Sequence, residues 1–216
     1  MKAFAKLLLG CAVVAAIAMP ASAQIGLSLT PVTNTIPQGG TASYNLNISG
    51  LQSDVDYTQA LGGYFVQLDY GTSVASVQSV TFGNSLFNLD PNGNPDYQSV
   101  DTTTTPGVIS LVEMSNNSTP ALEGAQGKSF TLATITFQGV APGTTPVTID
   151  ANLKNPILSN TTLTDEGANT LDLVNVTNAS LTVIPEPSVT ASVFGAVALG
   201  FCMLRRRFAR NANCIA

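Results

Sequence analysis

Alternation of apolar and polar residues dominates the middle of the chain. Across residues 41–49, Ala42, Tyr44, Leu46 and Ile48 fall on one face, while serine, threonine and asparagine fall on the other. A period of two is typical of a half-buried β-strand. By the same pattern we predict further strands at residues 25–30, 63–70, 74–82, 108–114, 129–140, 147–153 and 171–183.

Two of these strands need comment. In residues 129–140 the apolar parity changes, from Phe130 and Leu132 to Ile135 and Phe137. A β-bulge would explain the change, as would burial on both faces. In residues 108–114 the alternation predicts that the even-numbered side chains, including Val108, Val112 and Met114, face the core.

Turn-forming residues separate the strands. Proline, glycine, asparagine and aspartate cluster at residues 37–40, 90–95, 141–143 and 165–167. No stretch between residues 24 and 184 keeps a helical apolar period for three turns. Many short strands with this punctuation predict an all-β fold, a single β-sandwich of the jelly-roll kind, over residues 24–184.

The first 23 residues have the organisation of a secretory signal peptide. A basic start is followed by an uncharged apolar run of 12 residues at positions 7–18, and Ala21 and Ala23 then provide a small-x-small cleavage site before Gln24. An N-terminal membrane anchor is the alternative, but the cleavage site follows the run closely. We therefore expect export and a mature chain that begins at Gln24.

The last 32 residues, 185–216, form a second organised segment. It contains, in order, an acidic tripeptide with two prolines, 16 uncharged residues and a basic cluster: Pro185, Glu186, Pro187, residues 189–204, and Arg205, Arg206 and Arg207. The uncharged run predicts a transmembrane helix at residues 189–204, with the arginines stopping transfer on the cytoplasmic side.

This order resembles the PEP-CTERM sorting signal, although the tail after the arginines is longer than such signals usually have. The resemblance implies transient anchoring in the inner membrane of a Gram-negative bacterium. It also implies cleavage near Pro185–Pro187 by an exosortase-type enzyme, and a final location at the cell surface or in the extracellular matrix. A plain single-pass anchor that no enzyme cleaves is the alternative.

Charge and cysteine usage restrict the possible functions. Between residues 24 and 187 two lysines stand against all 13 acidic residues, which gives this part a net charge near −11. Such a domain will not bind nucleic acid, because phosphate contacts need lysine and arginine. Cys11, Cys202 and Cys214 all lie outside the predicted domain, so its stability must come from its hydrophobic core rather than from disulfides.

We predict no enzymatic activity and no catalytic residue. The chain has no histidine, which removes the most common general base and metal ligand. Two carboxylate pairs are close in sequence, Asp54 with Asp56 and Asp165 with Glu166. Both pairs lie in predicted loops, where carboxylates are usually solvated, and nothing marks a buried acid of the glycosidase kind.

One loop has the spacing of a calcium site. Positions 1, 3, 5, 7 and 12 of a calcium-type loop are occupied by oxygen-bearing side chains: Asp90, Asn92, Asn94, Asp96 and Asp101. Glycine stands at position 4 instead of position 6, and two prolines restrict the backbone. The alternative is a surface turn rich in aspartate and asparagine, and we predict no other cofactor.

The order of features also resembles a cohesin-type domain, a β-sandwich related to bacterial carbohydrate-binding modules. The matching features run from residue 27 to residue 183: the turn at 37–40, the strand at 42–48, the strand at 63–70, the segment 77–86 with Gly83, the strand at 107–111, the strand at 132–137, and Gly167 before the last strand. The Tyr-Asp pair that closes the third strand of that family is inverted here, as Asp69-Tyr70.

These features favour a non-catalytic surface or matrix module that binds a protein partner or a polysaccharide. The alternatives are a carbohydrate-binding domain that acts in polysaccharide metabolism, and a structural surface protein without a ligand. Tyr57 and Tyr97 fall in predicted loops and are the best candidates for a binding face.

Overall fold

The computed structural model describes residues 24–51, 53–54, 57–86, 96–153 and 160–212. The predicted signal peptide, residues 1–23, lies outside the described residues. The elements are β1 (Ile25–Pro31), β2 (Thr35–Pro37), β3 (Thr41–Ser49), β4 (Ser53–Asp54), β5 (Tyr57–Thr58), β6 (Leu61–Tyr70), β7 (Ala75–Phe82), β8 (Tyr97–Asp101), β9 (Val108–Met114), α1 (Thr119–Ala125), β10 (Ser129–Gly139), β11 (Gly143–Ile149), β12 (Thr162–Asp165), β13 (Thr170–Leu171), β14 (Leu173–Thr177), β15 (Ala179–Ile184) and α2 (Pro187–Ala212).

The strands form two main sheets. The five-stranded sheet has the order β14-β1-β3-β10-β7. The second sheet has the order β13-β12-β6-β11-β15-β2, and β9 and then β8 extend it from the other side of β6. This arrangement confirms the prediction of an all-β sandwich.

The core lies between the two sheets. Tyr44, Leu46 and Ile48 of β3 are fully buried, as are Val66 and Leu68 of β6, as their alternation predicts. Burying aliphatic side chains of this size stabilises the fold by roughly 1.5–3 kcal/mol each relative to leaving them exposed.

A hydrogen bond also crosses between the sheets. The Tyr44 hydroxyl, from β3 in the five-stranded sheet, donates to the Ser180 carbonyl of β15 at 2.9 Å. The ring of Tyr44 meets that of Phe137 edge to face, with their centroids 5.6 Å apart. The bond satisfies a hydroxyl that would otherwise be buried without a partner.

The parity change in β10 is a β-bulge. Its register against β3 shifts between Thr131 and Ala133, and both Leu132 and Ala133 are buried. The bulge lets two consecutive side chains enter the core, after which Ile135 and Phe137 continue the inward face.

Three strand predictions were wrong in detail. The strand predicted at residues 147–153 is β11, which begins earlier and ends at Ile149, and Leu153 is exposed. In β9 the buried residues are Ile109, Leu111 and Glu113, so the face that alternation assigned to the core points outward. The predicted strand at residues 171–183 is three strands, because Asp172 and Asn178 interrupt the ladder between β13, β14 and β15.

The C-terminal segment forms the helix α2, and the prediction of a transmembrane helix at residues 189–204 is corrected. Among the described residues, none of the helices combines the length and the apolar character needed to cross a membrane. The uncharged run would span about 24 Å at 1.5 Å per residue, short of a hydrocarbon core of about 30 Å. The helix then continues through Arg205, Arg206 and Arg207, whose predicted stop-transfer role depended on that span.

Candidate functional site

A cluster of apolar side chains lies on the outer face of the second sheet, where β8, β9 and β6 run side by side. Tyr97 is opposite Met114 in the β8–β9 register, and they are 54% and 57% exposed. The next row along the strands contains Ser99, Val112 and Phe65, which are partly buried. We call these five residues the docking face.

The local sequence explains how the docking face forms. Opposite residues in an antiparallel pair have their Cβ atoms about 4.5–5.5 Å apart, so side chains of one row touch. Gly63 lies opposite Met114 in β6 and has no side chain to cover it, while Tyr97, on the other side of Met114, lies in the edge strand β8. A tyrosine and a methionine exposed next to each other on rigid strands form the kind of patch found at protein interfaces.

The same face becomes acidic towards its other end. Asp101 ends β8 and lies opposite Ser110, while Asp69 of β6 lies opposite Val108. The Asp101 carboxylate accepts hydrogen bonds from the Thr103 and Thr104 amides at 2.8 and 3.0 Å. A hydrogen bond from the Thr104 side chain, together with these amide bonds, holds the pKa of Asp101 well below its usual range, so this end of the face carries a negative charge.

A buried carboxylate lies directly beneath the docking face. Glu113, between Val112 and Met114 in sequence, points into the core and is 1% exposed. Gln98 of β8 donates its Nε2 proton to Glu113 Oε1 at 2.7 Å, which connects the edge strand β8 to the core. Burial raises the pKa of Glu113 above its usual value, although hydrogen bonds from Gln98 and Tyr64 oppose the change and Asp96 adds to it.

The outer face of the five-stranded sheet has a different chemistry. Its five strands contain no charged residue. Hydroxyl and amide side chains bond across neighbouring strands: Thr131 Oγ1 donates to Asn47 Oδ1 at 2.7 Å, and Asn47 Nδ2 donates to Thr30 Oγ1 at 3.1 Å. Thr134 Oγ1 bonds in the same way to Asn45 Oδ1 at 3.0 Å. We call this surface the hydroxyl–amide face.

Of the predicted calcium loop, Asp90, Asn92 and Asn94 lie outside the described residues. The Asp96 carboxylate accepts hydrogen bonds from the backbone amide of Asn116 at 2.6 Å and from the side chain of Asn117. Among the described residues there is no group of three or more potential metal ligands from histidine, cysteine, aspartate and glutamate. The calcium site therefore stays a prediction, with Asp96 and Asp101 both bonded to protein donors.

The described members of the predicted carboxylate pairs support turns. Asp165 accepts hydrogen bonds from the amides of Gly167 and Asn169 at 2.9 and 2.7 Å, closing the β12–β13 connection. Glu166 Oε2 accepts a hydrogen bond from the Ala60 amide at 3.2 Å. The Asp54 side chain and Asp56 lie outside the described part of the chain.

The fold also brings together the carboxylates of Asp69 and Asp150, which are distant in sequence. Burial raises the pKa of Asp69 in β6, and the nearby carboxylate of Asp150, which follows β11, raises it further. Asn160 Nδ2 donates to Asp150 Oδ2 at 2.7 Å, and Gln67 Nε2 donates to the same oxygen at 3.4 Å. This pair adds further negative charge at the acidic end of the second sheet.

Most of the docking face could not be identified from the sequence. Tyr97 is a predicted candidate, but it lies in β8 rather than in a loop. The side chain of Tyr57, the other candidate, lies outside what the structure describes. The alternation in β9 predicts that Val112 and Met114 face the core, which is wrong. The odd-numbered residues Ile109 and Leu111 are just as apolar, and this was the signal that the other face of the strand could be the buried one.

No protein-family model matches the chain, and no curated protein sequence matches it. Solved structures do match. A type II cohesin domain from the cellulosome of Acetivibrio cellulolyticus has a TM-score of 0.56 at 14% identity, over 73% of this chain and 95% of that chain. A cohesin from a type I cohesin–dockerin complex of Clostridium thermocellum has a TM-score of 0.54 at 10% identity, over 76% and 95%.

A non-cellulosomal cohesin from the archaeon Archaeoglobus fulgidus is also similar, with a TM-score of 0.52 at 11% identity over 79% of this chain and 98% of that chain. At such identities the likeness concerns the fold. Together with the two-sheet topology, it shows that this chain has a cohesin-like β-sandwich fold.

Proposed function

We propose that the chain is a non-catalytic binding module that binds a protein partner through the docking face. The observation that carries the proposal is the adjacent pair Tyr97 and Met114, each more than half exposed on a paired strand. Tyrosine offers a large contact area with few rotatable bonds, and methionine adapts its shape to a partner, which makes the pair a suitable anchor. Several matching cohesins were solved in complexes with dockerins, which is consistent with this use of the fold.

The chemistry of the face defines the partner it suits. Tyr97, Met114 and Val112 require an apolar complement at one end. Asp101 and Asp69 favour basic residues at the other end. A segment with apolar anchors followed by lysine or arginine would match both ends, and its association rate should fall as salt screens the charges.

A comparison of variants in a matrix or surface extract tests this proposal. We expect the double variant Tyr97→Ser, Met114→Ser to lose a protein that the wild-type chain retains, with at least a tenfold drop in affinity once that protein is isolated. Anchor residues of this kind often contribute about 2 kcal/mol or more, and about 1.4 kcal/mol corresponds to tenfold.

Val32→Ser is the matched control, because Val32 is 67% exposed and lies in the β1–β2 connection, outside the docking face. It should retain the same protein as the wild type. Equal retention by the docking-face variant and by the control would contradict the proposal.

Polysaccharide binding is a second candidate, favoured by the hydroxyl–amide face. An uncharged surface of bonded hydroxyl and amide groups in a domain of net charge near −11 is suited to a neutral glycan rather than an anionic one. A glycan array probed with the wild type and with Asn45→Ala, Asn47→Ala separates the two candidates. Glycan binding that this variant abolishes would favour the second candidate, and protein retention without glycan binding would favour the first. Failure of both assays would favour the remaining alternative, a structural surface protein without a ligand.

We also propose that the chain is exported and that an exosortase-type enzyme cleaves it near Pro185, Glu186 and Pro187. The supporting observation is the sequence order of that tripeptide, an uncharged run and the arginines, behind a predicted signal peptide. Intact mass of the surface-associated protein should correspond to a chain from Gln24 to the region of Pro187. A surface form that retains residues 205–207 would contradict the cleavage.

A further inference from the structure

The edge strand β7 differs from the other sheet edges of this molecule. It has eight residues, and in the described part of the chain it pairs with β10 alone. It contains neither a charged residue nor a proline. An edge of this kind presents unpaired backbone N–H and C=O groups to any strand that can lie beside it.

The remaining edges carry the features that usually prevent edge-to-edge pairing. They are short, or they contain or adjoin a proline or a carboxylate. In the two main sheets these edges are β13 with two residues, β2 with three residues ending in Pro37, β8 with five residues that follow Asp96 and end in Asp101, and β14 with five residues after Asp172. Among the described edges of the two main sheets, β7 is therefore the one that is neither short nor marked by a charge or a proline; a bulge is the one such feature that it carries.

The side chains of β7 form a pattern that is symmetric about its centre. Four residues pack towards the core, and four lie on the outer side: Ala75, Val77, Val80 and Phe82 inward, and Ser76, Gln78, Ser79 and Thr81 outward. A bulge causes this, because Phe137 pairs with Val77 whereas Thr136 pairs with Ser79, which leaves Gln78 as an extra residue.

This symmetry makes β7 complementary to itself. If two copies of β7 run antiparallel about a twofold axis between residues 78 and 79, Ala75 faces Phe82 and Val77 faces Val80. Ser76 then faces Thr81 on the outer side. Every inward residue meets an inward residue, which is the condition for two sheets to join without burying a polar side chain. A strand without the bulge would bring inward and outward residues together in this register.

We propose that β7 is a self-association edge that pairs with β7 of a second copy of the chain. The pairing joins the two five-stranded sheets into one continuous sheet and gives a closed dimer with an isologous interface. A second copy is favoured over an unrelated strand, because only an identical strand, running antiparallel, presents the same inward and outward pattern in the matching order. The docking face lies on the other sheet, so the proposal is independent of the partner proposed above.

Sedimentation velocity of the full chain, measured over a range of concentrations, tests the pairing. Ser79 is exposed and lies next to the proposed axis, where it faces Gln78 of the second copy, so Ser79→Lys brings two like charges close together across the axis. Thr41→Lys is the matched control, since it adds the same charge to an exposed position in β3 of the same sheet. We expect the wild type and Thr41→Lys to form dimers, and Ser79→Lys to raise the dimer dissociation constant at least tenfold.

Mixing charges provides a second, independent readout. An equimolar mixture of Ser79→Lys and Ser79→Glu should form heterodimers, because opposite charges then meet near the axis, while each variant alone stays monomeric. The circular dichroism spectrum of each variant shows whether it is folded. A monomeric wild type, a dimer that Ser79→Lys leaves unchanged, or failure of the mixture to restore the dimer would overturn the proposal.

Discussion

Glu113 is the residue whose environment departs most from what its sequence neighbours suggest. It lies in an apolar strand, it is 1% exposed, and its Oε1 accepts a hydrogen bond from Gln98. Sequence alternation could not place it, because the residues of both parities in β9 are largely apolar and a glutamate ordinarily faces water. Its position depends on a partner in β8, a strand that the sequence did not reveal.

The raised pKa of Glu113 predicts how stability changes with pH. Because the folded state holds the Glu113 proton more tightly than the unfolded state does, protonation of Glu113 stabilises the fold. This contribution to the unfolding free energy is fully present below the unfolded pKa of about 4.5. It is lost as pH rises through the folded value. We expect Glu113→Gln to be more stable than the wild type at pH 7, and the difference in unfolding free energy to shrink on acidification to pH 4.

Urea unfolding at several pH values measures this difference. Asp101 has a lowered pKa and acts in the opposite direction, so Asp101→Asn is the control. Asp101→Asn should have a lower unfolding free energy than the wild type at neutral pH, and this difference should become smaller in acid. If the difference in unfolding free energy between Glu113→Gln and the wild type does not change with pH, the raised pKa assigned to Glu113 is contradicted.

At the scale of elements, a side chain makes the hydrogen bonds to the backbone at the start of β6 that a neighbouring strand would otherwise make. Gln126, just after α1, accepts a hydrogen bond from the Leu61 amide at 2.7 Å through Oε1 and donates to the Leu61 carbonyl at 2.8 Å through Nε2. Its Nε2 also lies 3.1 Å from the Ser85 carbonyl, to which it donates. The Gln126 side chain thus forms the same pair of hydrogen bonds with Leu61 that the backbone of a neighbouring strand would form.

Gln126→Ala should therefore destabilise the fold by about 1–3 kcal/mol, the usual cost of leaving buried backbone groups without partners, since Leu61 is fully buried. Hydrogen exchange of the Leu61 amide should accelerate more than that of amides in β3. Gln138→Ala is the control, because Gln138 is exposed and donates one longer hydrogen bond, to Gly39. Equal losses in both variants would contradict this role.

Strands in which apolar residues alternate regularly with polar ones could be predicted from the sequence. Strands that are defined by tertiary contacts could not. In β3 the apolar residues keep a single parity, so the strand and its buried face follow from the sequence. In β10 the bulge is visible as a change of parity at Leu132 and Ala133. The short strands β2, β8 and β12 have no such signal, because their residues are held by neighbours distant in sequence.

At the scale of the molecule, charge divides the surface in two. The five-stranded sheet carries no charged side chain in its strands, whereas the second sheet contains Asp69, Asp101 and Asp165 outside the core, with Glu113 buried beneath them. Composition alone gave the net charge but not its distribution, because the strand order brings distant segments together. The docking face likewise depends on the register that places Tyr97 opposite Met114.

The most direct test of the central claim is hydrogen–deuterium exchange of the chain with and without the protein that it retains from the extract. We predict slower exchange on binding in β8 and β9, whose outward side chains form most of the docking face, and unchanged exchange in β3. Protection confined to the five-stranded sheet, with β8 and β9 unaffected, would show that the partner binds elsewhere and would contradict the account.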